Sequence, residues 1–195
     1  GMKCEVAAIK KLTHKKSKVS CHYFIKNNGK ILNLVPDLYI AWHAGISSWK
    51  TYKSLNKYSI GVEINNPGHN SKYKKYNKQQ IKSVIKISKF LIKKYKIKSK
   101  FILGHSDIAP DRKKDPGEKF PWEYLSKKKI SCWHNLNFTK ILKNRIQKVE
   151  NIDKNIFIKN LTKIGYSYNS NKPNIKYLKL IIKAFQRRFR PELVN

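Results

Sequence analysis

The strongest constraint on the fold is a run of apolar side chains at helical spacing between Asn77 and Tyr95, with lysines on the opposite face. Asn77, followed by Gln80 three residues later, is typical of a capping box at the start of a helix. The pattern therefore predicts a long amphipathic helix, and one face of such a helix must be covered by another layer of structure. Its apolar positions are Ile81, Val84, Ile85, Leu91, Ile92 and Tyr95.

Short strands are predicted on both sides of this helix. Residues 19–25 and 30–35 flank an Asn-Asn-Gly sequence, which tolerates positive φ, so they predict a β-hairpin. Residues 58–65 predict a third strand, and residues 101–104 predict a short apolar strand after the helix. A short helix is predicted over residues 4–13. This order of elements indicates an α/β domain built from layers of sheet and helix.

The last third of the chain has a different pattern. Helical spacing covers residues 137–149, 154–164 and 174–189, and polar loops join these segments. We therefore predict two domains, an α/β domain at residues 1–134 and a small helical module at residues 135–195. A module of that size is marginally stable by itself.

For the C-terminal arginines and for three of the tryptophans, the sequence allows either a role in ligand binding or a purely structural role. The arginines near the C-terminus either contact an anionic polymer or form a solvated helix face; they are Arg187, Arg188 and Arg190. The tryptophans either stack on sugar rings or pack in the core, and the first of them is the strongest candidate for contact with a ligand; they are Trp42, Trp49 and Trp122.

The composition predicts a folded and strongly basic protein. Hydrophobic residues make up 40% of the 195 residues, which is enough for a core, and no apolar run is long enough to span a bilayer. The formal net charge is +33, and lysine supplies all but five of the 44 basic residues. Such a charge attracts any polyanion, but the lysines are spread along the whole chain, as the codon usage of an AT-rich genome also produces. No nucleic-acid-binding motif accompanies them, so we predict no specific nucleic-acid partner.

The densest concentration of reactive side chains is the sequence GHSDIAPDRKKDPGEKFPW at residues 104–122. His105 follows a predicted strand, and Asp115 lies ten positions later in a loop that contains prolines. Zinc accepts both imidazole nitrogen and carboxylate oxygen as ligands. In an extended loop Lys113 would share a side with Asp115. On spacing alone, a structural histidine held by hydrogen bonds is the commoner explanation of His105.

Glu63 is a second candidate for chemistry. In the sequence YSIGVEIN, Val62 and Ile64 point to one face of the predicted strand, so Glu63 points to the other face with Gly61. An acid within an apolar strand is costly to bury unless it has a partner or a function. Glu63 is therefore a candidate general base toward a zinc-bound water.

Five phrases, in order along residues 5–133, resemble the successive signatures of the N-acetylmuramoyl-L-alanine amidases of the AmpD/AmiD type. They are VSCHYFI, NGKILNLVPD, AWHAGISSW, LNKYSIGVEINNPG and GHSDIAPDRKKDPGEKFPW. This family shares its fold, a central mixed sheet flanked by helices, with phage amidase-type lysozymes and peptidoglycan recognition proteins. The sequences GYSYN and AFQRRFRPEL near the C-terminus resemble the small helical peptidoglycan-binding module of AmiD-like members.

The resemblance implies a zinc hydrolase that cleaves the amide bond between N-acetylmuramic acid and L-alanine in bacterial cell-wall fragments. It makes His105 and Asp115 ligands of Zn²⁺, Glu63 the catalytic acid and base, and Lys113 the group that stabilises the oxyanion.

The resemblance further places two side chains of the AWHAG sequence, His43 and Trp42, in the substrate groove. The implied partner is peptidoglycan or a muropeptide released from it. The implied location is the bacterial cell envelope or periplasm, with the cytoplasm as the alternative, since related amidases occur in both.

One part of the family pattern has no counterpart among the six histidines. The family's third zinc ligand is a histidine in a first strand that precedes the helix at residues 4–13. We expect that the printed chain lacks this strand, and in that case it is inactive as written, although His43 and His22 are alternative donors. The competing hypothesis is a non-catalytic peptidoglycan-binding relative that has lost the metal.

Overall fold

The structure, a computed structural model, describes residues 4–71, 73–146, 154–168 and 174–194. Helices and short strands alternate through the first of these ranges, and helices follow in the others. The helices are α1 (Glu5–Thr13), α2 (Lys78–Tyr95), α3 (His105–Ile108), α4 (Trp122–Lys127), α5 (Phe138–Ile146), α6 (Lys154–Ile164) and α7 (Ile175–Phe189). The strands are β1 (Tyr23–Ile25), β2 (Ile31–Asn33), β3 (Ser48–Trp49), β4 (Tyr52–Lys53) and β5 (Val62–Ile64).

A three-stranded mixed sheet with the order β2-β1-β5 lies at the centre. Strand β1 is antiparallel to β2, which confirms the hairpin predicted from the Asn-Asn-Gly sequence, although both strands are shorter than predicted. Strand β1 is parallel to β5, with Phe24 opposite Glu63. The prediction of an α/β fold with a central mixed sheet and flanking helices is confirmed.

Helix α2 covers one face of the sheet. Its buried residues Ile81, Val84 and Leu91 pack in the same cluster as Ile25 of β1 and Leu125 of α4. The predicted capping box is present, because the backbone N–H of Gln80 donates to Asn77 Oδ1 at 2.9 Å and the N–H of Asn77 donates to Gln80 Oε1 at 3.2 Å. The amphipathic pattern thus fixed both where this helix begins and which face it buries.

Helix α1 covers the other face. Ala8 packs with Cys21 and Phe24 in a smaller buried cluster, which confirms the helix predicted over residues 4–13. Residues opposite each other in neighbouring strands point to the same face of a sheet. Glu63, which lies opposite Phe24, therefore points to the side of the sheet that carries α1.

The strand predicted over residues 101–104 is wrong. The segment is a 3₁₀ turn that ends at Phe101 and then an extended stretch, and it pairs with no strand among the described residues. Ile102 and Leu103 instead pack into two different hydrophobic clusters, so their burial requires no strand partner. His105 consequently begins a short helix, α3, instead of following a strand.

The helices of the last third form as predicted, within the described residues. Helices α6 and α7 contribute Leu161 and Ile181 to a buried cluster that also contains Trp49 of β3, so they pack directly on the α/β part of the chain. The part of the first predicted C-terminal helix beyond residue 146 lies outside the described residues. The domain division at residue 134 stays a prediction.

The interpretation of the C-terminal arginines as a solvated face or a polymer contact is wrong for two of them. Arg187 and Arg188 are both buried, and only Arg190 is partly accessible. Consecutive residues of a helix differ by about 100° in direction, so a helix packed on two sides can bury both. The helical pattern did not reveal the second packed side.

No helix within the described ranges has the length and apolar character of a membrane-spanning segment.

Candidate active site

His105 and Asp115 lie together at the start of α3. His105 Nδ1 is 3.1 Å from Asp115 Oδ2, and the backbone N–H of Ser106 donates to the carbonyl oxygen of Asp115 at 2.8 Å. Burial opposes ionisation of Asp115, but the hydrogen bond and charge of His105, with the charge of Lys113, outweigh it and lower the pKa of this carboxyl to about 2. Asp115 is therefore ionised at neutral pH.

The second ring nitrogen of His105 contacts the AWHAG loop. Its Nε2 is 3.2 Å from the carbonyl oxygen of Ala44, which also accepts a hydrogen bond from Arg112 at 2.6 Å. Arg112 donates to the carbonyl oxygen of Ile46 as well. Arg112 was not identified from the sequence, although it lies within the motif at residues 104–122. Its guanidinium joins that motif to the loop that carries His43.

His43 is held from both its backbone and its ring. Asn56 Oδ1 accepts its backbone N–H at 3.1 Å, and the ring Nε2 lies 3.3 Å from the carbonyl oxygen of Ser59. The ring packs against Gly61, where an added Cβ would come within 2.3 Å of it. Burial and the neighbouring His22 and His105 lower the pKa of His43 to about 4, so its imidazole is neutral at pH 7.

Glu63 occupies the face of β5 that its alternation predicted. The residue is exposed, whereas Val62 and Ile64 on either side are half-buried. Surrounding protein atoms nevertheless desolvate it, and the negative charge of Asp115 adds to this effect, so the pKa of Glu63 is raised. His105 and Lys113 are close enough to oppose the shift electrostatically. Glu63 therefore lies within electrostatic range of His105, Lys113 and Asp115.

A cleft of about 330 Å³ opens beside His105 and Lys113. Trp42 and His43 line it together with these two residues. Trp42 is 52% exposed. The remaining lining residues are Lys18, Val19, Ala44, Gly45, Asn56 and Arg112.

Trp49 and Trp122 do not reach this cleft. They are 3% and 5% exposed and pack in the two main hydrophobic clusters, so the core interpretation holds for both. Of the three candidates for sugar stacking, Trp42 is the accessible one.

His105 and Asp115 suit a zinc ion in chemistry and spacing. Two ligands at usual zinc distances and a tetrahedral angle lie about 3.4 Å apart, close to the 3.1 Å between His105 Nδ1 and Asp115 Oδ2. A catalytic zinc site uses three protein ligands. The described ranges contain no group of three His, Cys, Asp or Glu side chains placed to hold a metal. The pair fits two positions of a zinc site, and no third side chain of these types stands beside the pair within the described ranges.

His22, one of the two alternative donors, already uses both of its ring nitrogens in contacts with the backbone. Its Nδ1 accepts the backbone N–H of Gly61 at 3.0 Å, and its Nε2 lies 3.0 Å from the carbonyl oxygen of Tyr39. The residue is 1% exposed. A neutral imidazole with its proton on Nε2 satisfies both contacts, so neither nitrogen is available to a metal in this arrangement.

Comparisons with known proteins agree on one family. The family model described as N-acetylmuramoyl-L-alanine amidase matches residues 3–118. N-acetylmuramoyl-L-alanine amidase AmiD of Escherichia coli is 36% identical over 194 residues, a match that covers 91% of this chain and 68% of AmiD.

Two solved structures resemble the whole described fold. The structure of E. coli AmiD in complex with anhydro-N-acetylmuramic acid-L-Ala-D-γ-Glu-L-Lys matches with a TM-score of 0.85 and 33% identity, over 97% of this chain and 77% of AmiD. AmpDh3 from Pseudomonas aeruginosa, solved with an anhydromuramic pentapeptide, matches with a TM-score of 0.86 and 29% identity, over 96% of this chain and 79% of that one. Both likenesses extend beyond the residues that the family model matches.

Proposed function

Because this chain belongs to the N-acetylmuramoyl-L-alanine amidase family, we propose that it hydrolyses the amide bond between N-acetylmuramic acid and L-alanine in cell-wall fragments. The observation that carries the proposal is that His105 and Lys113 line one cleft, that Asp115 Oδ2 lies 3.1 Å from His105 Nδ1, and that the charges of these residues act on Glu63. These side chains come from β5, from α3 and from the loop after it, and binding alone does not require that combination.

His105 and Asp115 are the proposed zinc ligands. A zinc ion bound there would supply a Lewis acid and lower the pKa of a bound water to about 7. The ionised state of Asp115 suits this role, because a carboxylate binds a metal in its deprotonated form.

Glu63 is the proposed general base and acid. Desolvation makes its carboxylate a stronger base than an ordinary glutamate, and a base whose pKa approaches the working pH transfers protons more efficiently. Glu63 takes a proton from the attacking water and later returns a proton to the leaving amine of L-alanine.

Lys113 is the proposed oxyanion-stabilising group. It lines the cleft next to His105, and its charge is close enough to act on both Asp115 and Glu63. An ammonium group at this place stabilises the negative charge that develops on the carbonyl oxygen under attack. Trp42 and His43 are proposed to hold the sugar and peptide in the cleft.

Anhydro-muropeptides are the proposed substrates within this class. AmiD and AmpDh3 were both solved with anhydromuramyl peptides, and the likeness to each covers nearly the whole chain.

We also propose a location in the cell envelope, where the net charge of +33 would hold the protein on anionic wall polymers. Fractionation of the source cells checks this location, and recovery in the cytosol alone would contradict it.

The first experiment combines zinc analysis with turnover. The 195-residue chain is purified without chelator, its zinc content is measured, and release of the peptide from anhydro-N-acetylmuramyl tripeptide is followed by chromatography. About one zinc per chain with measurable release supports the proposal. In the variant Glu63→Ala we expect zinc to remain and nearly all turnover to be lost, and retained turnover would exclude Glu63 as the base.

A non-catalytic peptidoglycan-binding relative is the second candidate, favoured by the finding that no three donor side chains are grouped around a metal position among the described residues. Its predictions differ. The chain would bind muropeptide without bound zinc, and neither added zinc nor Glu63→Ala would change the products.

The assignment of residues 135–195 to a peptidoglycan-binding-like module stays part of the proposal. Helices α6 and α7 of this region also pack on β3.

A further inference from the structure

A buried ionic network joins the C-terminal helices to α3. Asp107 is at its centre. Its Oδ1 accepts from the hydroxyl of Tyr166 at 2.7 Å, and its Oδ2 accepts from Arg188 at 2.7 Å. All three residues are fully enclosed, at 2%, 1% and 4% exposure. Tyr166 follows α6 and Arg188 lies in α7, so both partners of Asp107 come from the last third of the chain.

The network ends at the candidate metal ligands. Asp107 lies in the first turn of α3, two residues after His105, and its Oδ2 also accepts the backbone N–H of Gly104 at 2.8 Å. Between them, the N–H of Ser106 donates to the carbonyl oxygen of Asp115. The first turn of α3 therefore orients His105 and holds the backbone of Asp115, and Asp107 anchors that turn.

Arg188 also binds the chain just before α3. Its other terminal nitrogen donates to the carbonyl oxygen of Ile102 at 2.9 Å, and its guanidinium lies 4.1 Å from the centre of the Trp122 ring. The planar fork of arginine makes both hydrogen bonds at once, whereas the single ammonium of lysine makes one of them. Arg188 thus fixes the chain on both sides of His105.

The contribution of such a network to folding stability is a weak explanation of its presence. A buried ion pair is often no more stabilising than apolar side chains of the same size, because both charges lose their hydration. Its distinguishing property is that hydrogen-bond directions allow one arrangement, whereas apolar packing tolerates small shifts. Here the arrangement that it selects includes the positions of His105 and Asp115.

We propose that Tyr166 and Arg188 are positioning residues that act through Asp107 and hold His105 and Asp115 in the relative positions that catalysis requires. The helices after residue 154 are then part of the catalytic unit. This inference rests on the proposed function for its kinetic consequence, but its structural consequence can be measured without turnover. A module that only recruits the wall polymer would affect KM on intact peptidoglycan and leave the geometry of α3 unchanged.

The test compares four variants of the full chain. Arg188→Met removes both hydrogen bonds with little change in size, Arg188→Lys retains the charge, and Tyr166→Phe removes one hydroxyl. Arg187→Met is the matched control, because Arg187 is a buried arginine of the same helix whose electrostatic partners are Glu118 and Tyr73. Leu178→Ala is a second control, which loosens α7 in the shared cluster without removing a hydrogen bond of the network.

The first readout is amide hydrogen exchange at Ser106, together with the ¹⁵N signals of the His105 ring. Arg188→Met is expected to speed exchange at Ser106 by about tenfold or more relative to Asn65, whose N–H bonds Ile25 in the sheet, and to change the His105 ring signals. Both controls are expected to leave the ratio of Ser106 to Asn65 exchange as in the unsubstituted chain. Equal ratios in Arg188→Met and the controls would overturn the proposal.

The second readout is the split between kcat and KM on a soluble muropeptide with zinc present. Arg188→Met is expected to lower kcat by about tenfold or more with KM nearly constant, because a small misplacement of reacting groups slows the chemical step. Arg188→Lys should restore part of kcat. A change confined to KM, or no rescue by lysine, would contradict positioning. If Arg188→Met does not fold, Tyr166→Phe decides, with a smaller change of the same kind expected at Ser106 and in kcat.

Failure of the proposed function would be visible separately. A chain without amidase turnover in any form removes the kinetic readout, yet the exchange and ring measurements still show whether Arg188 and Tyr166 fix α3. If the chain is an active amidase and Arg188→Met leaves the exchange at Ser106 unchanged, the positioning proposal fails and the proposed function stands.

Discussion

At the residue scale, two carboxyl groups in one site differ in protonation behaviour because their neighbours differ. Asp115 accepts a hydrogen bond from His105 and stays ionised, with a pKa of about 2. Among the described residues no such donor reaches the Glu63 carboxyl group, and desolvation together with the charge of Asp115 raises the pKa of Glu63. Separation of two carboxyl pKa values by environment is how one site provides both a permanent anion and a proton carrier.

Lys113 is expected to act on kcat. Lys113→Met removes the charge that stabilises the oxyanion, so kcat on anhydro-muropeptide should fall by about 100-fold or more, with a small change in KM. Steady-state kinetics measure this. Lys114→Met is the matched control, because Lys114 is the adjacent lysine but is exposed and does not line the cleft. Equal losses in both variants would indicate a general effect of charge.

Trp42 and Trp49 are expected to respond in opposite ways to truncation. Trp42→Ala removes an exposed wall of the cleft, so KM should rise while the melting temperature changes little. Trp49→Ala leaves a cavity in the shared cluster and should cost about 3–5 kcal/mol of unfolding free energy. Kinetics and denaturant unfolding of both variants check this. A rise in KM confined to Trp49→Ala would contradict the assignment of the cleft.

At the scale of elements, a single carboxylate ties the loop after β2 to α2. Asp37 accepts hydrogen bonds from Tyr23 Oη at 2.6 Å, Tyr95 Oη at 2.8 Å and Lys94 Nζ at 2.9 Å. Burial opposes its ionisation, but these three donors outweigh that effect and lower the pKa of Asp37 below 3.8. The hairpin and the long helix are thus joined by a polar contact in addition to the apolar layer between them.

Asp37→Ala is expected to destabilise the protein in a pH-dependent way. It leaves two tyrosine hydroxyls without their acceptor, at a cost of about 1–3 kcal/mol at pH 7. Since the folded-state pKa is depressed, the stabilisation is complete above 3.8 and is lost as the pH falls through the lower folded value. Urea unfolding of both proteins between pH 7 and pH 3 should show the difference narrowing at the acid end.

The control for this prediction is Glu123→Ala, which removes an exposed ion pair with Lys127 within α4. We expect it to change the unfolding free energy by less than about 0.5 kcal/mol at any pH in this range. A difference for Asp37→Ala that is the same at pH 3 as at pH 7 would show that the charge of Asp37 is not involved.

At the scale of the whole molecule, the C-terminal helices and the α/β part share one buried cluster. Leu161, Tyr166 and Ile181 pack with Ala44 and Trp49. Gly165 lies so close to Trp49 that a Cβ added to the glycine would come within 2.4 Å of the indole ring. The carbonyl oxygen of Gly165 accepts the backbone N–H of Lys50 at 2.8 Å. Removal of these helices would expose an apolar face beside the AWHAG loop.

A chain that ends at residue 134 is therefore expected to be less stable than the full chain and prone to aggregate. It also loses both side-chain partners of Asp107, so this carboxylate is left without its cation. Thermal unfolding and size-exclusion chromatography of the truncated chain measure this. A truncated chain that is monomeric and melts at the temperature of the full chain would show that residues 1–134 fold independently.

The sequence by itself determined the elements whose signals are local. Helix α2, its capping box and the hairpin depend on residues within a few positions of one another, and all three were predicted. The alternation that exposes Glu63 is equally local, since side chains in a strand point to alternate faces. The family motifs also singled out His105, Lys113 and Asp115, whose charges act on Glu63 in the structure.

Only the tertiary structure decided which residues are partners across long distances in the chain. Asp107 and Arg188 are 81 positions apart, and no local pattern distinguishes an arginine that will be buried against a carboxylate from one on a solvated helix face. Residues 101–104 were mistaken for a strand for the same reason, because short apolar runs are buried either by strand pairing or by side-chain packing. Which of the two occurs depends on the surfaces that surround the segment after the chain has folded.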